Sequence, residues 1–441
     1  MSHVVTPAGS AGYARVLAVP EFRAVFAAHA LSLLGVVVAE ISLSVLVYDL
    51  TGSPLMSALA FALGFLPYVV GGTLLSGVAD RFPARRVLVA CDLVCALCVA
   101  PMALPGTPLA VLLALRCGLA VVSPVFAGTR MATLADILGD GDLFVLGRSL
   151  LRIVSQSALL AGYGLGGLLL AAVTPRHALL VTVTTFVGSA AVLRLGTRRR
   201  PARAGAGTTL VRDSLQGAGQ VLADRRVRVL LLLFWIPPMF AVAPEALAAP
   251  YADDLGTGSV GLGVLMCALP VGTVAGELLA GARLRPAARE RVTLPLVCLT
   301  LLPYLGYALH PGLPVSLLLL LLAGAGSAYT LGLDQWIVRD VPEELRGRAM
   351  TLLTAGMMTS QGLGMALAGV AAEAVGVAGA VTGAGVLGTA CCAALAREAR
   401  RTAPKPGPHH VGRPAEEYAP GRPAARRTES RDGADQDMTG G

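Results

Sequence analysis

About a dozen apolar runs, each close to bilayer-crossing length and often parted by only a few residues, fill the chain between residues 24 and 396. A spanning helix needs about 20 apolar residues. We place the runs near 24–48, 54–79, 87–105, 108–129, 149–173, 177–196, 228–250, 258–281, 292–309, 314–338, 350–371 and 375–396. Only 14% of the 441 residues are charged and 55% are hydrophobic, whereas soluble domains carry about 25% charged residues. A surface this oily has to face lipid. The 52 glycines agree with that reading, because small residues let membrane helices approach closely.

The net charge of +8 suggests nucleic acid for a soluble chain, but its distribution gives a better explanation. Arg81, Arg85 and Arg86 lie between runs two and three, Arg130 and Arg148 between four and five. Eight arginines from Arg198 to Arg228 lie between six and seven. Arg283, Arg285, Arg289 and Arg291 follow run eight, and Arg339, Arg346 and Arg348 follow run ten. The alternate connections hold one, Arg176. Inside loops are arginine-rich and outside loops poor, so the alternation tests helix number and orientation together. It predicts twelve spans with both termini in the cytoplasm of an inner (plasma) membrane protein, and no nucleic-acid partner. The first run follows Glu21-Phe22-Arg23 without a small-residue cleavage site and reads as a retained helix.

Five segments follow: a cytoplasmic N-terminal piece (1–23), a first six-helix bundle (24–196), a linker (197–227), a second bundle (228–396) and a tail (397–441). The linker starts flexible and then offers a surface helix from Leu210 to Ala223. The tail, Pro-rich and charged in both signs, is expected to be disordered. The halves echo each other. Gly147-Arg148 opens the fifth run and Gly347-Arg348 the eleventh; Gly162 and Gly164 are answered by Gly362 and Gly364; Gly77, Arg81 and Arg85 by Gly281, Arg285 and Arg289. Offsets this similar, on corresponding runs, point to parallel six-helix repeats, a transporter plan with its site between the repeats near the bilayer midplane.

The stretch Ser76–Leu88 sets Asp80, Arg81, Arg85 and Arg86 in a tight turn between two runs. An acid at a helix end accepts charge-assisted hydrogen bonds from an arginine or a helix N-terminus, which can latch one side of a rocking protein; alternatively the arginines only fix topology. This turn resembles the Gly-x-x-x-Asp-Arg-x-Gly-Arg-Lys/Arg hairpin of the major facilitator superfamily, particularly its twelve-helix drug and siderophore exporters. Asp80, Arg81, Arg85 and Arg86 match the charged positions; Ser76 and Pro83 stand where the family has glycines, and Ala84 replaces a basic residue. Ala161–Leu168 is similar to the exporters' Gly-Pro-x-x-Gly-Gly signature through Gly162, Gly166 and Gly167, with Tyr163 in place of the proline. Such glycines serve either as a sliding hinge face or as ordinary close packing. Val341–Arg348 resembles the turn before the family's eleventh helix, where Glu343 or Glu344 pairs with Arg346 or Arg348 in an inner gate, or is merely solvated.

Ionisable groups inside spans are costly and mark function. Arg116 lies mid-run in the fourth span, where the family often has an arginine; it either faces a cavity or a partner, or snorkels to the interface. Glu40 and Glu245 occupy corresponding runs of the two halves. A carboxyl in a low-dielectric cavity exchanges protons near neutral pH, so these two are the proton-coupling candidates, with Arg116 as charge partner; the alternative is a static ion pair. Asp334, near the inner end of the tenth run, is a substrate-contact candidate. Asp92 is expected to cap the hairpin network, and Trp235 and Trp336 are expected as interfacial anchors, with Trp235 lining a cavity above Pro237 and Pro238 as the alternative. Cys91, Cys95 and Cys98 share a helical face but read as packing rather than a metal site. No phosphate loop, nucleophile elbow or paired site histidines are present, so neither ATP use nor hydrolysis is expected, and the chain is not an enzyme. The expectation is an all-α integral membrane protein of the major facilitator fold. It would be a monomer that uses the proton gradient and no cofactor to export small amphipathic or hydrophobic molecules. Uptake is the alternative direction; a non-transporting sensor or lipid-handling protein is the alternative class.

Overall fold

The computed structural model describes residues 9–67, 82–139, 142–200, 222–341 and 343–402. Among them there is no strand. Among the described residues, nine helical segments are long and apolar enough to cross a membrane. A short α1 (Gly9–Leu17) precedes α2 (Pro20–Thr51), which starts on a proline and stops at Gly52, whose φ of 61° only glycine adopts cheaply. Ser53 caps α3 (Pro54–Ala62) by accepting the Met56 N–H at 3.2 Å. Then come α4 (Ala84–Met102), α5 (Leu109–Leu138), α6 (Asp142–Ala172) and α7 (Pro175–Gly196).

The second half opens with α8 (Arg225–Ala241), whose first turn Asp224 caps through the N–H groups of Arg226 and Val227. Prolines at 237, 238, 244 and 250 then break the run into the short α9 (Ala243–Ala246) and α10 (Ala248–Asp254). After these come α11 (Gly258–Arg283), α12 (Pro286–Leu299) with a 3-10 turn to Leu309, and α13 (Leu313–Gly326). α14 (Thr330–Asp340) and α15 (Glu343–Arg401) complete it.

Several boundaries differ from the hydropathy pattern. The second run breaks after Ala62, and its later part lies outside the described residues. The third is helical and carries Arg85, Arg86 and Asp92. The eleventh and twelfth runs form one helical stretch that turns at Gly376, φ 77°. The linker from 201 to 221 and the tail from 403 also lie outside the described residues.

Within the first half α2 packs on α6 and α7, and α4 on α5 and α7; within the second, α11 packs on α13 and α8 on α15. The halves meet through α6 against α11 and α3 against α15, a paired arrangement expected of repeats. Glycines allow the closest approaches. A Cβ on Gly276 would strike the Ala325 carbonyl, and one on Gly324 the Leu269 carbonyl. Large apolar side chains face outward, among them Leu97 at 71% and Leu195 at 85% exposure. Lipid is the environment that makes such a surface favourable.

Both tryptophans depart from the anchor expectation. Trp336 is buried under Arg226 and donates its indole N–H to Glu290 at 3.2 Å. Trp235 donates to the Leu353 carbonyl at 3.0 Å and packs against Gly356. Each uses its polar edge to tie elements of the second half together. Asp92 is likewise not at the hairpin. It is buried, accepting from Ser32 at 3.0 Å and Ser189 at 2.6 Å, and so stitches α2, α4 and α7.

Candidate functional site

Two largely buried carboxylates lie where the halves meet. Glu40 sits past the middle of α2 and pairs with Arg116 of α5; both side chains are nearly buried. Arg116 also donates from Nε to the Ala60 carbonyl at 3.2 Å, at the end of α3. That end is the reason the arginine fits: a Cβ on Gly64 would collide with its guanidinium. A buried ion pair is tolerated only when further hydrogen bonds satisfy both charges, and the exposed carbonyl of a terminating helix provides one.

Glu245 projects from α9, the four-residue piece that the flanking prolines cut out of the seventh run. Its carboxylate accepts a hydrogen bond from the buried Tyr163 hydroxyl of α6. Tyr163 therefore reaches from the first half into the second. It also lies within electrostatic reach of Glu40, as does Glu245 itself. The four side chains form one cluster, Arg116–Glu40 on one side and Tyr163–Glu245 on the other. A small pocket of about 20 Å³ lined by Pro244, Ala248, Leu265, Met266 and Pro270 opens beside Glu245. One positive and two acidic groups in so dry a place leave the cluster sensitive to a single proton.

The signature glycines split between two neighbours. A Cβ on Gly162 would meet Val37 at 2.6 Å and one on Gly166 would meet Ile41 at 3.0 Å, both on α2. Gly167 faces the other way, where a Cβ would come within 2.7 Å of the Gly263 Cα and the Ser259 carbonyl of α11. Beside it the Cys267 thiol donates to the Leu160 carbonyl at 3.5 Å. The glycines thus bring α6 against its own half and against the other.

Among the described residues, hydrogen bonds crossing between the halves gather in this middle layer and at the end opposite Pro20 and Arg401. There Glu373 accepts from the Ser53 hydroxyl and from the Leu55 N–H at 3.3 Å, and the Tyr48 hydroxyl lies 3.5 Å from Asp253. At the termini end the described ion pairs hold each half internally. Glu21 pairs with Arg200, Arg226 with Asp340 at 2.9 Å, Arg225 with Glu398, and Arg339 with Glu290 at 3.0 Å. Outside the spans, the hydrogen bond that Arg200 donates to Glu21 raises its pKa, and that from Arg339 to Asp340 raises the pKa of Arg339.

Asp334 is exposed on α14, with Arg152 of the first half and Glu277 of the second as its charged neighbours. It stands apart from the cluster, toward the termini end. Asp80 and Arg81 lie outside the described residues, as do the side chains of Glu343, Glu344, Arg346 and Arg348. Arg85 donates to the Thr197 carbonyl at 3.2 Å and Arg86 is exposed beside it. Arg289, the repeat counterpart of Arg85, donates to the carbonyls of Gly281 and Leu284 and caps α11.

Sequence reasoning overlooked Tyr163 as a donor, Gly64 as the space for Arg116, and a second polar group around His29. The buried His29 lies 2.9 Å from the Ser155 hydroxyl and 3.1 Å from Arg130, which stacks on Phe126. A histidine inside the first run was the available signal. No group of three or more His, Cys, Asp or Glu among the described residues has the arrangement of a metal site.

The chain is similar to known transporters along most of its length. It is 26% identical over 346 residues to the multidrug efflux pump Tap of Mycolicibacterium fortuitum, covering 75% of this chain and 84% of that one. Its fold superposes on a bacterial homologue of the human lysosomal transporter Spinster in an inward-facing, occupied conformation. The TM-score is 0.69 at 14% identity, over 89% of this chain and 98% of the other. It also superposes on the human organic anion transporter MFSD10, with a TM-score of 0.58 at 18% identity over 86% and 99%. The family model of the major facilitator superfamily matches residues 25–335 and 246–428. With that match across both halves, the chain belongs to the major facilitator superfamily and is a multi-pass membrane transporter, not an enzyme.

Proposed function

We propose that this transporter exports small amphipathic or hydrophobic molecules from the cytoplasm in exchange for protons, by alternating access. It does so as a monomer with twelve spans and both termini in the cytoplasm of the plasma membrane. The observation that carries the reading is the Tyr163–Glu245 hydrogen bond between the halves, beside the Glu40–Arg116 pair. Similarity to a multidrug efflux pump supports the direction and the substrate class.

In the conformation seen here the far end is drawn together, and among the described residues the termini end is held within each half. Glu40 is neutralised by Arg116, while among the described residues Glu245 has a neutral hydroxyl as its hydrogen-bond partner. Glu245 is thus the carboxylate whose charge is least compensated and the one a proton relieves most. Protonating it removes a buried charge in one conformation, and losing the proton to the other side restores it. A bias of a few kcal/mol between the two states is enough to shift their populations decisively. Asp80 with the hairpin arginines would latch the termini end once the far end opens, and Asp334 would meet substrate on its way in.

The test is flux in reconstituted vesicles against a panel of fluorescent lipophilic dyes with a pH gradient imposed in either sense. Export by antiport requires dye to move toward the acidic side. Dye moving with the protons establishes uptake, and no flux in either sense for any dye contradicts transport of this class.

A further inference from the structure

We propose that the groove between the termini ends of α4 and α7 is a binding site for the phosphate headgroup of an anionic phospholipid. The groove, about 380 Å³, is lined by Pro83, Arg85, Arg86, Val89, Ala90, Leu93, Arg194, Arg199 and Arg200. Five of those nine are arginines, drawn together from α4, from α7 and from the residues just after α7, two helices far apart in sequence but packed side by side.

Two of the five are already engaged. Arg200 is held by both carboxylate oxygens of Glu21, at 2.5 and 2.9 Å, and Arg85 by the Thr197 carbonyl. These contacts fix the walls. Arg86, Arg194 and Arg199 are exposed and have no hydrogen bond or ion pair among the described residues. Among the described residues, Glu21 and Asp136 are the acids that act on Arg200, and Arg200 pairs with Glu21. Three unspent guanidinium groups around one opening match the several oxygens of a phosphate, which arginine binds in bidentate fashion.

The surface below the arginines selects a lipid over a free anion. On α4 the exposed residues run Arg86, Ala90, Leu93, Leu97, spaced four, three and four apart on one helical face. On α7 the exposed positions run Leu180, Thr184, Val187, Ala191, Arg194. Leu93 is 43% exposed, Leu97 71% and Val187 47%. Each stripe is apolar along the bilayer and ends in arginine at the groove. A phospholipid with its phosphate on the arginines lays its acyl chains along these stripes; a soluble anion has no use for them. Basic pockets between spanning helices recognise anionic headgroups in this way.

The experiment measures lipid retention and affinity on the purified full chain in mild detergent, by native mass spectrometry and titration. Phosphatidylglycerol, phosphatidylcholine and inorganic phosphate are the three probes. Phosphatidylglycerol should bind and phosphatidylcholine should not. R194Q/R199Q should bind phosphatidylglycerol roughly tenfold to thirtyfold more weakly, taking about 1 kcal/mol per arginine at the membrane surface. R86Q alone, on an exposed position, should weaken it roughly fivefold. R225Q, an exposed arginine of the other half, should leave it unchanged. Equal affinity in R194Q/R199Q or R86Q and in the unaltered chain overturns the proposal. So does inorganic phosphate competing as strongly as the lipid binds, which would make the groove a free-anion site.

Discussion

Tyr163 of α6 donates its hydroxyl hydrogen to Glu245 of α9, joining the two halves inside the protein at the level of the Glu40–Arg116 pair. The position is one where the resembling exporters have a proline, so a rigid ring is replaced by a donor. In this chain the helix that packs the halves together also touches the carboxyl proposed to carry the proton.

Tyr163→Phe keeps the ring and removes the donor. A hydrogen bond to a charged acceptor contributes about 1.5–3 kcal/mol, so pH-driven flux should fall on the order of tenfold or more. Dye binding at equilibrium and elution as a folded protein should stay as they are. Flux in vesicles, compared with size-exclusion of the same preparation, checks it.

Arg116 and Glu40 should behave as a coupled pair. Removing Arg116 leaves a buried carboxylate uncompensated, a change that costs about 3–5 kcal/mol in comparable cases. Arg116→Gln should therefore lower thermal stability sharply, while Glu40→Gln with Arg116→Gln should recover much of the loss. A double-mutant cycle on melting temperature reads the coupling; strict additivity would mean the two side chains do not hold one another.

Gly167→Leu should pry α6 from α11. Even a Cβ there comes within 2.7 Å of Gly263 and Ser259 backbone atoms, and backbone cannot yield as a side-chain tip can. The far end should open, and Cys267, which lies beside this contact, should react faster with a thiol reagent. Peptide-level mass spectrometry of the labelled protein gives the rate. Glu373→Ala, which releases Ser53 and the Leu55 N–H, should act in the same direction more weakly.

At the far end burial, and then Asp253 beside it, raises the pKa of Asp254. A carboxyl raised in the folded state favours folding most when protonated, so its contribution is full below the ordinary carboxylate range. It is lost as pH rises through the raised value. Because Asp254 is exposed, solvent screens most of this. Asp254→Asn should raise the melting temperature at neutral pH by roughly a degree or two and leave it unchanged in acid. A gain that persists at low pH would place its origin elsewhere.

Much of the architecture was readable because lipid imposes a simple rule on sequence. Apolar length and arginine placement located the helices, and hydropathy found Glu40, Arg116 and Glu245 as the costly exceptions. What was not readable depends on rotation about helix axes and on how breaks are used. Nothing in the period of α6 says that Tyr163 faces α9 while Gly162 faces α2. The proline-cut α9 reads as part of one continuous apolar run, although the cut is what aims Glu245 inward. Trp336 and Asp92 mislead for a related reason. Each carries a polar group suited to an interface or a cap, and each finds its partner inside the protein, with Glu290 and with Ser32 and Ser189.

Glu245→Gln offers the most direct test, since it keeps the shape of the side chain and cannot release a proton. In vesicles carrying this variant, a fluorescent substrate of the unaltered protein should still equilibrate by exchange across the membrane. It should no longer accumulate when a pH gradient is imposed. Accumulation equal to that of the unaltered protein would contradict the assignment of Glu245 as the group that couples protons to transport.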